Sequence, residues 1–152
     1  MAIDTTAVTT VGRPRQEVAA YLTDPANDPG WIGGLRSARL VTPPPVGVGS
    51  QVERVARFLG RRVEYVNEIT ELSGTRLAMR SVRSPFPMRV TYGFEDAAGA
   101  GTEVSVRVQG DASRRYRLAD PLLARLVRRS VQRDLRNLRR VLEDGAARPG
   151  SR

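Results

Sequence analysis

Few residues of this chain could do chemistry, and Asp134 stands out among them. On a helical wheel with its origin at Asp120, at about 100° per residue, Leu123, Val127, Val131, Leu135, Leu138, Val141 and Leu142 fall within roughly 120°, and Asp134 lies inside that arc. A carboxylate on an apolar helix face must be paired, protonated or turned to a wet cavity, because an isolated buried charge costs too much. Two readings follow. Either Asp134 forms a structural ion pair with a sheet arginine such as Arg80 or Arg89, or it is a cavity-lining acid, its pKa raised by desolvation, able to act as general acid or base. Ser130, one turn earlier, is placed to line the same stripe.

Two hydroxyls and an amide are the next candidates. Tyr65 and Asn67 share a strand face with Val63 and Ile69, and Tyr92 lies between Val90 and Phe94 in another alternating run. If those faces are concave, they project sparse polar groups into an apolar chamber, where such groups orient a ligand. Otherwise the tyrosines are ordinary half-buried ones with their hydroxyls in solvent. Proton transfer would require Asp134 and Tyr65 or Tyr92 to meet within about 3 Å of one substrate atom. Trp31, the only tryptophan, follows Pro29-Gly30. It is either a plug closing one end of the core or a wall of a cavity mouth beside the Pro43–Gly49 loop. Phe58, Met79 and Met88 would add adaptable apolar lining, although methionine in a core needs no functional explanation.

The missing residue types narrow the chemistry further. There is no cysteine and no histidine, and all 25 basic residues are arginine. This removes Ser-His-Asp triads, cysteine nucleophiles, zinc clusters, haem ligation by histidine, Schiff-base and pyridoxal phosphate chemistry, and the P-loop lysine. Carboxylate, tyrosine and arginine chemistry remains, or none, and neither a metal nor a cofactor is expected.

The chain that must position these groups has 152 residues, 40% of them apolar and 27% charged, as expected of one globular domain. At this length roughly 70% of the unfolded surface is buried, so the core needs no disulfide or metal. No run of about 18 apolar residues would span a membrane, and no basic-then-apolar leader opens the sequence, so a cytoplasmic protein is expected. A homodimer stays open. The net charge of +9 is concentrated late: residues 1–112 hold 13 arginines and 12 acids, residues 113–152 hold 12 arginines and 4 acids. Such an excess could attract nucleic acid, anionic lipid or an acidic protein. Residues 121–143 contain no aromatic residue to stack on bases, so a solvated helix face is the simpler reading and no specific nucleic-acid partner is expected.

The spacing predicts a strand over Ile3–Val11 and a short helix opened by Pro14. A second helical piece capped by Asp24 should follow. From residue 36 the period changes to two. Strands are expected at Ser37–Thr42, Gln51–Leu59, Arg62–Leu72, Arg76–Val82, Met88–Glu95 and Thr102–Gly110, joined by short turns into an antiparallel meander. Asp120-Pro121 opens a long amphipathic helix to Glu143, whose apolar arc must pack on the sheet. Residues 144–152 are expected to be a disordered tail.

This order resembles the START-like, Bet v 1-like superfamily, also called the polyketide cyclase/dehydrase and lipid transport group. The resemblance is carried by Leu22 to Trp31 around the helix break, Gly47 to Ser50 at a strand entry, the turn Phe58 to Arg61 and the strand Tyr65 to Glu71. Gly101 to Val104 and Leu135 to Glu143 complete it, over about residues 3–143. It implies an α+β helix-grip fold: a seven-stranded curved antiparallel sheet around a long C-terminal helix, with two short helices between strands 1 and 2. It also implies a cavity that in relatives holds lipids, sterols or polyketides. No reaction is implied, since this scaffold hosts carriers and cyclases alike, and no cyclase motif is intact here.

The expectation is therefore a single ligand-binding domain over 1–143 that binds or carries a small lipophilic molecule, lined by Trp31, Phe58, Tyr65, Asn67, Met79, Met88, Tyr92, Ser130 and Asp134. The alternatives are a cyclase or aromatase using Asp134, Tyr65 or Tyr92, and an interaction protein using the basic helix on an anionic partner.

Overall fold

The structure, a computed structural model, describes residues 3–58, 60–85, 87–110 and 120–146, without the side chains of Phe58, Asp120 and Ala146. Strand β1 (Ile3–Val11) is followed by helix α1 (Arg15–Leu22) and a 3-10 helix (Pro25–Gly30). Six strands come next: β2 (Leu35–Leu40), β3 (Gln51–Phe58), β4 (Arg61–Leu72), β5 (Arg76–Arg83), β6 (Met88–Ala97) and β7 (Gly101–Gly110). Helix α2 (Asp120–Ala146) ends the described chain. This is the α+β helix-grip architecture the sequence predicts.

The seven strands form one antiparallel sheet in the order β1-β7-β6-β5-β4-β3-β2. Hairpins join neighbours from β2 to β7, whereas β1 pairs with β7, Ile3 opposite Gly110 and Val11 opposite Thr102. The chain must therefore cross from one sheet edge to the other after β1, and α1 with the 3-10 helix makes that crossing. Pro14 sets the entry: it lacks a free N–H and its carbonyl accepts from Glu17 N at 3.0 Å and Val18 N at 3.1 Å. Asp24 caps the 3-10 helix, its side chain accepting from Ala26 N at 3.0 Å.

Helix α2 packs its apolar arc into the curve of the sheet. Leu123, Leu135 and Leu138 are at most 1% exposed, so truncating one of them to alanine would cost about 2–5 kcal/mol. Two of the bonds that hold α2 in place lie toward its far end. Asn137 Nδ2 donates to the Trp31 carbonyl at 3.3 Å, and Gly12 N donates to Glu143 Oε2 at 2.8 Å, tying the end of β1 to the end of the helix.

Some boundaries differ from those expected. Strand β2 begins at Leu35, opposite Ala56, because a bulge before Ser37 lets the ladder start two residues early. Helix α2 continues past Glu143 to Ala146, since a single glycine at Gly145 weakens but does not end a helix. Of the tail expected to be disordered, Asp144–Ala146 is thus helical, and 147–152 lie outside the described residues.

Candidate functional site

Between the sheet and α2 lies a cavity of about 660 Å³. Its walls are mainly small and branched: Val63 on β4, Val90 on β6, Val106 and Val108 on β7, and Leu123 and Val127 on α2 all line it. Valines at these inward positions stop short of the helix, and the space they leave is the chamber.

The polar groups are arranged in three sets. The first is buried. Arg54 stands inside β3 between the inward Val52 and Ala56, directly across the ladder from Tyr65, and it lines the cavity while only 5% exposed. Its Nη2 donates to Asp28 Oδ2 at 2.6 Å, from the 3-10 helix, and approaches the Met79 sulfur at 3.9 Å. A guanidinium has five N–H donors and is never deprotonated in proteins, so Asp28 takes only part of its capacity. Burial lifts the Asp28 carboxyl above its ordinary value, and the adjacent Arg54 pulls the other way. Burial opposes the charge on Arg54 too, but Tyr92, Asp28 and Tyr65 together raise its pKa further. Tyr65 and Tyr92 both line the cavity, and burial pushes both phenols up, against the pull of Arg54. Trp31 completes this set, 3% exposed, edge-on to Tyr92 with ring centroids 5.8 Å apart. Among the described residues, Asp28 Oδ1, Trp31 Nε1 and Arg54 Nε meet no partner in full hydrogen-bond geometry, although the Trp31 side chain helps hold the Asp28 carboxyl down.

The second set is on α2. Asp134 and Ser130 line the cavity one helical turn apart. Asp134 is 7% exposed, and its Oδ1 accepts from Gly33 N at 2.9 Å. Desolvation pushes its carboxyl up to about 6, and the Gly33 bond and the nearby Arg133 hold it from rising further. The loop that supplies Gly33 comes close because Gly34 has φ +81°, and a Cβ there would be 2.8 Å from the Arg57 carbonyl. The third set is the rim: Arg57 on β3 and Arg129, Arg133 and Arg136 on α2 line the cavity yet are exposed.

Of the residues singled out in the sequence, Trp31, Tyr65, Met88, Tyr92, Ser130 and Asp134 come together around this cavity. Asn67 and Met79 do not line it. A bulge between Val66 and Asn67 breaks the alternation, so both are buried in succession and Asn67 no longer follows Tyr65 into the chamber. Met79, opposite Ile69 and Val90, belongs to the packed core behind Arg54. The side chain of Phe58 lies outside the described residues. Asp134 has no ion pair with Arg80 or Arg89: Arg80 pairs with Glu68 at 3.0 Å, and Arg89 is exposed. The Pro43–Gly49 loop contributes nothing to the lining, so Trp31 is an inner wall, not a lip beside that loop. Arg54 and Asp28 went unrecognised. The signal was an arginine at an inward position of an alternating strand, facing Tyr65, which only a buried partner could satisfy.

Among the described residues no cluster of His, Cys, Asp or Glu could hold a metal, and no helix is long and apolar enough to cross a membrane.

A family model for polyketide cyclase/dehydrase and lipid transport matches residues 2–143. The chain belongs to that family, within the START-like, Bet v 1-like group that its sequence segments resemble. Solved structures share the fold. A Streptomyces aromatase/cyclase superposes with a TM-score of 0.78 at 16% identity, covering 99% of both chains. A START superfamily protein from Mycobacterium smegmatis gives 0.80 at 10% identity, over 93% of this chain and 97% of its own. A Thermus thermophilus protein gives 0.76 at 20% identity, over 93% and 98%. The search of curated proteins found no match.

Proposed function

We propose that this protein binds and carries a small lipophilic molecule in the cavity between the sheet and α2. The observation that carries this reading is the chamber itself: about 660 Å³ falls within the roughly 300–1,000 Å³ usual for ligand sites, with apolar walls and a few convergent polar groups. The family description includes lipid transport. In this reading the valines and leucines take the apolar body, while Tyr65, Tyr92 and Arg54 orient a polar end. Titration with a panel of fatty acids, sterols and aromatic polyketides tests it, read by Trp31 fluorescence and by the melting temperature. Binding to the folded state alone raises that temperature by mass action. Silence in both readouts across the panel would sink the reading.

A second reading is a cyclase, and one observation favours it. Asp134, its carboxyl pushed up to about 6, lines the same chamber as Tyr65 and Tyr92, so a group able to give or take a proton near neutral pH shares one cavity with two hydroxyl donors. Multiple turnover of a linear polyketide substrate, lost in Asp134→Asn, would decide for it. Binding without turnover would decide for carriage.

A further inference from the structure

The geometry points to an organic acid as the guest: an apolar body inside the cavity, with one anionic group held at the mouth by Arg129, Arg133 and Arg136 and any second polar group turned to Tyr65, Tyr92 and Arg54. This rests on the cavity reading above and specifies the ligand's charge. The three arginines lie on α2 and are both exposed and part of the cavity lining. On α2 they follow one another at Arg129, Arg133 and Arg136, a spacing that sets them in a stripe along the opening. Gly33, on the opposite lip, is so close that a Cβ there would be 3.2 Å from Arg133 Nη2.

None of the three is in an ion pair among the described residues; the same holds for Arg36, Arg61, Arg83 and Arg89 on the sheet, while five other sheet arginines each meet a carboxylate. Arg39 pairs with Glu53, Arg62 with Glu64, Arg76 with Glu71, Arg80 with Glu68 and Arg107 with Asp4. Inside, Arg54 is balanced by Asp28. Among the described residues the one carboxylate in the lining is Asp134, engaged by Gly33 and beside Arg133. Three arginines against one carboxylate among the described residues leave net positive charge where a guest enters, above a low-dielectric chamber that focuses its field. Guanidinium groups grip carboxylate, sulfonate and phosphate through paired N–H donors, and an apolar tail supplies the rest of the contact.

The test uses the full chain and three probes of equal chain length: dodecanoate, dodecan-1-ol and dodecyltrimethylammonium. Affinities are measured by Trp31 fluorescence and calorimetry at low and at physiological salt. The acid should bind about tenfold or more tighter than the alcohol and the ammonium weakest, with the acid's advantage shrinking as salt rises. The double variant Arg133→Gln, Arg136→Gln should bring the acid-to-alcohol ratio close to one, while Arg62→Gln, on the outer surface, should keep it. Equal affinities for acid and alcohol, or a preference that survives in the double variant, would overturn the inference and leave the cavity reading standing. Failure of all three probes to bind would overturn the inference, and the cavity reading would then stand or fall with the sterol and polyketide panel. A further arm uses phosphatidylcholine vesicles with and without phosphatidylglycerol. Capture by the anionic vesicles, with no preference for the soluble acid, would assign the rim to a membrane surface and overturn the ligand proposal.

Discussion

Asp28 and Arg54 meet at 2.6 Å with their side chains only 2% and 6% exposed, a charge pair that reaches from the crossing segment to the cavity wall. The first comes from the crossing segment and the second from mid-strand β3, so the pair fastens the 3-10 helix to the sheet. Removing one partner strands the other as a buried charge, which costs about 3–5 kcal/mol, whereas removing both is far milder. Arg54→Met should lower the urea midpoint sharply, and the double variant Asp28→Asn, Arg54→Met should recover much of the loss. A double variant as unstable as the single one would contradict the pairing argument.

The acid on α2 predicts a pH dependence. The Asp134 carboxyl is raised from 3.8 to about 6 in the folded protein, so between these values the folded state binds its proton more tightly than the unfolded chain does. Stability contributed by this group is therefore full below about pH 4 and lost as pH rises through about 6, up to ~3 kcal/mol in all. Asp134→Asn keeps an oxygen acceptor for Gly33 N and cannot ionise. The difference in unfolding free energy, variant minus wild type, should grow in the variant's favour from pH 4 to pH 7. A flat difference across that range would show that Asp134 is not desolvated.

The tyrosine hydroxyls should govern orientation, not capture. Tyr65→Phe and Tyr92→Phe each keep the ring, and with it the edge-on contact of Trp31 with Tyr92. Each should weaken a guest bearing a carbonyl or hydroxyl by about 0.5–1.5 kcal/mol, roughly two- to tenfold, and leave a hydrocarbon guest of similar size nearly unchanged. Equal losses for both classes, measured by calorimetry, would place the hydroxyls away from the ligand.

The outward arginines of α2 make a separate prediction. Without aromatic platforms among residues 121–143, any association with RNA or DNA should be sequence-independent and fall steeply with salt. Fluorescence anisotropy with unrelated oligonucleotides at two salt concentrations checks this. Selective binding that persists at physiological salt would make the helix a recognition surface.

The fold was legible because its signals are periodic. The alternation in β4, β6 and β7 and the apolar arc from Leu123 to Leu142 predict a sheet gripping a helix, and the structure has that arrangement. Asp134 could be read as unusual because a carboxylate interrupts the arc. Which partner it takes could not, since Gly33 offers a backbone N–H that no side-chain pattern reveals. Asn67 was misplaced because a bulge shifts the pleat by one residue without leaving a glycine or proline to announce it. Arg54 was overlooked for a related reason: on a strand with Glu53 and Arg57 it reads as one more surface charge, and only the approach of Asp28, 26 residues earlier in the chain, makes it an interior one.

The pairing of β1 with β7 also sets the timetable of folding. Ile3 finds Gly110 and Val11 finds Thr102 only after almost all of the sheet lies between them, whereas β3, β4 and β5 are joined by short turns. Loop-closure entropy favours the local hairpins first and delays the distant pairing. On a ribosome β1 emerges with no partner and must wait for β7 and α2, so the chamber is assembled only once both have emerged. Pulse-labelled hydrogen exchange should therefore show amides of β3–β5 protected before those of β1, and a guest added during refolding should speed none of the early steps.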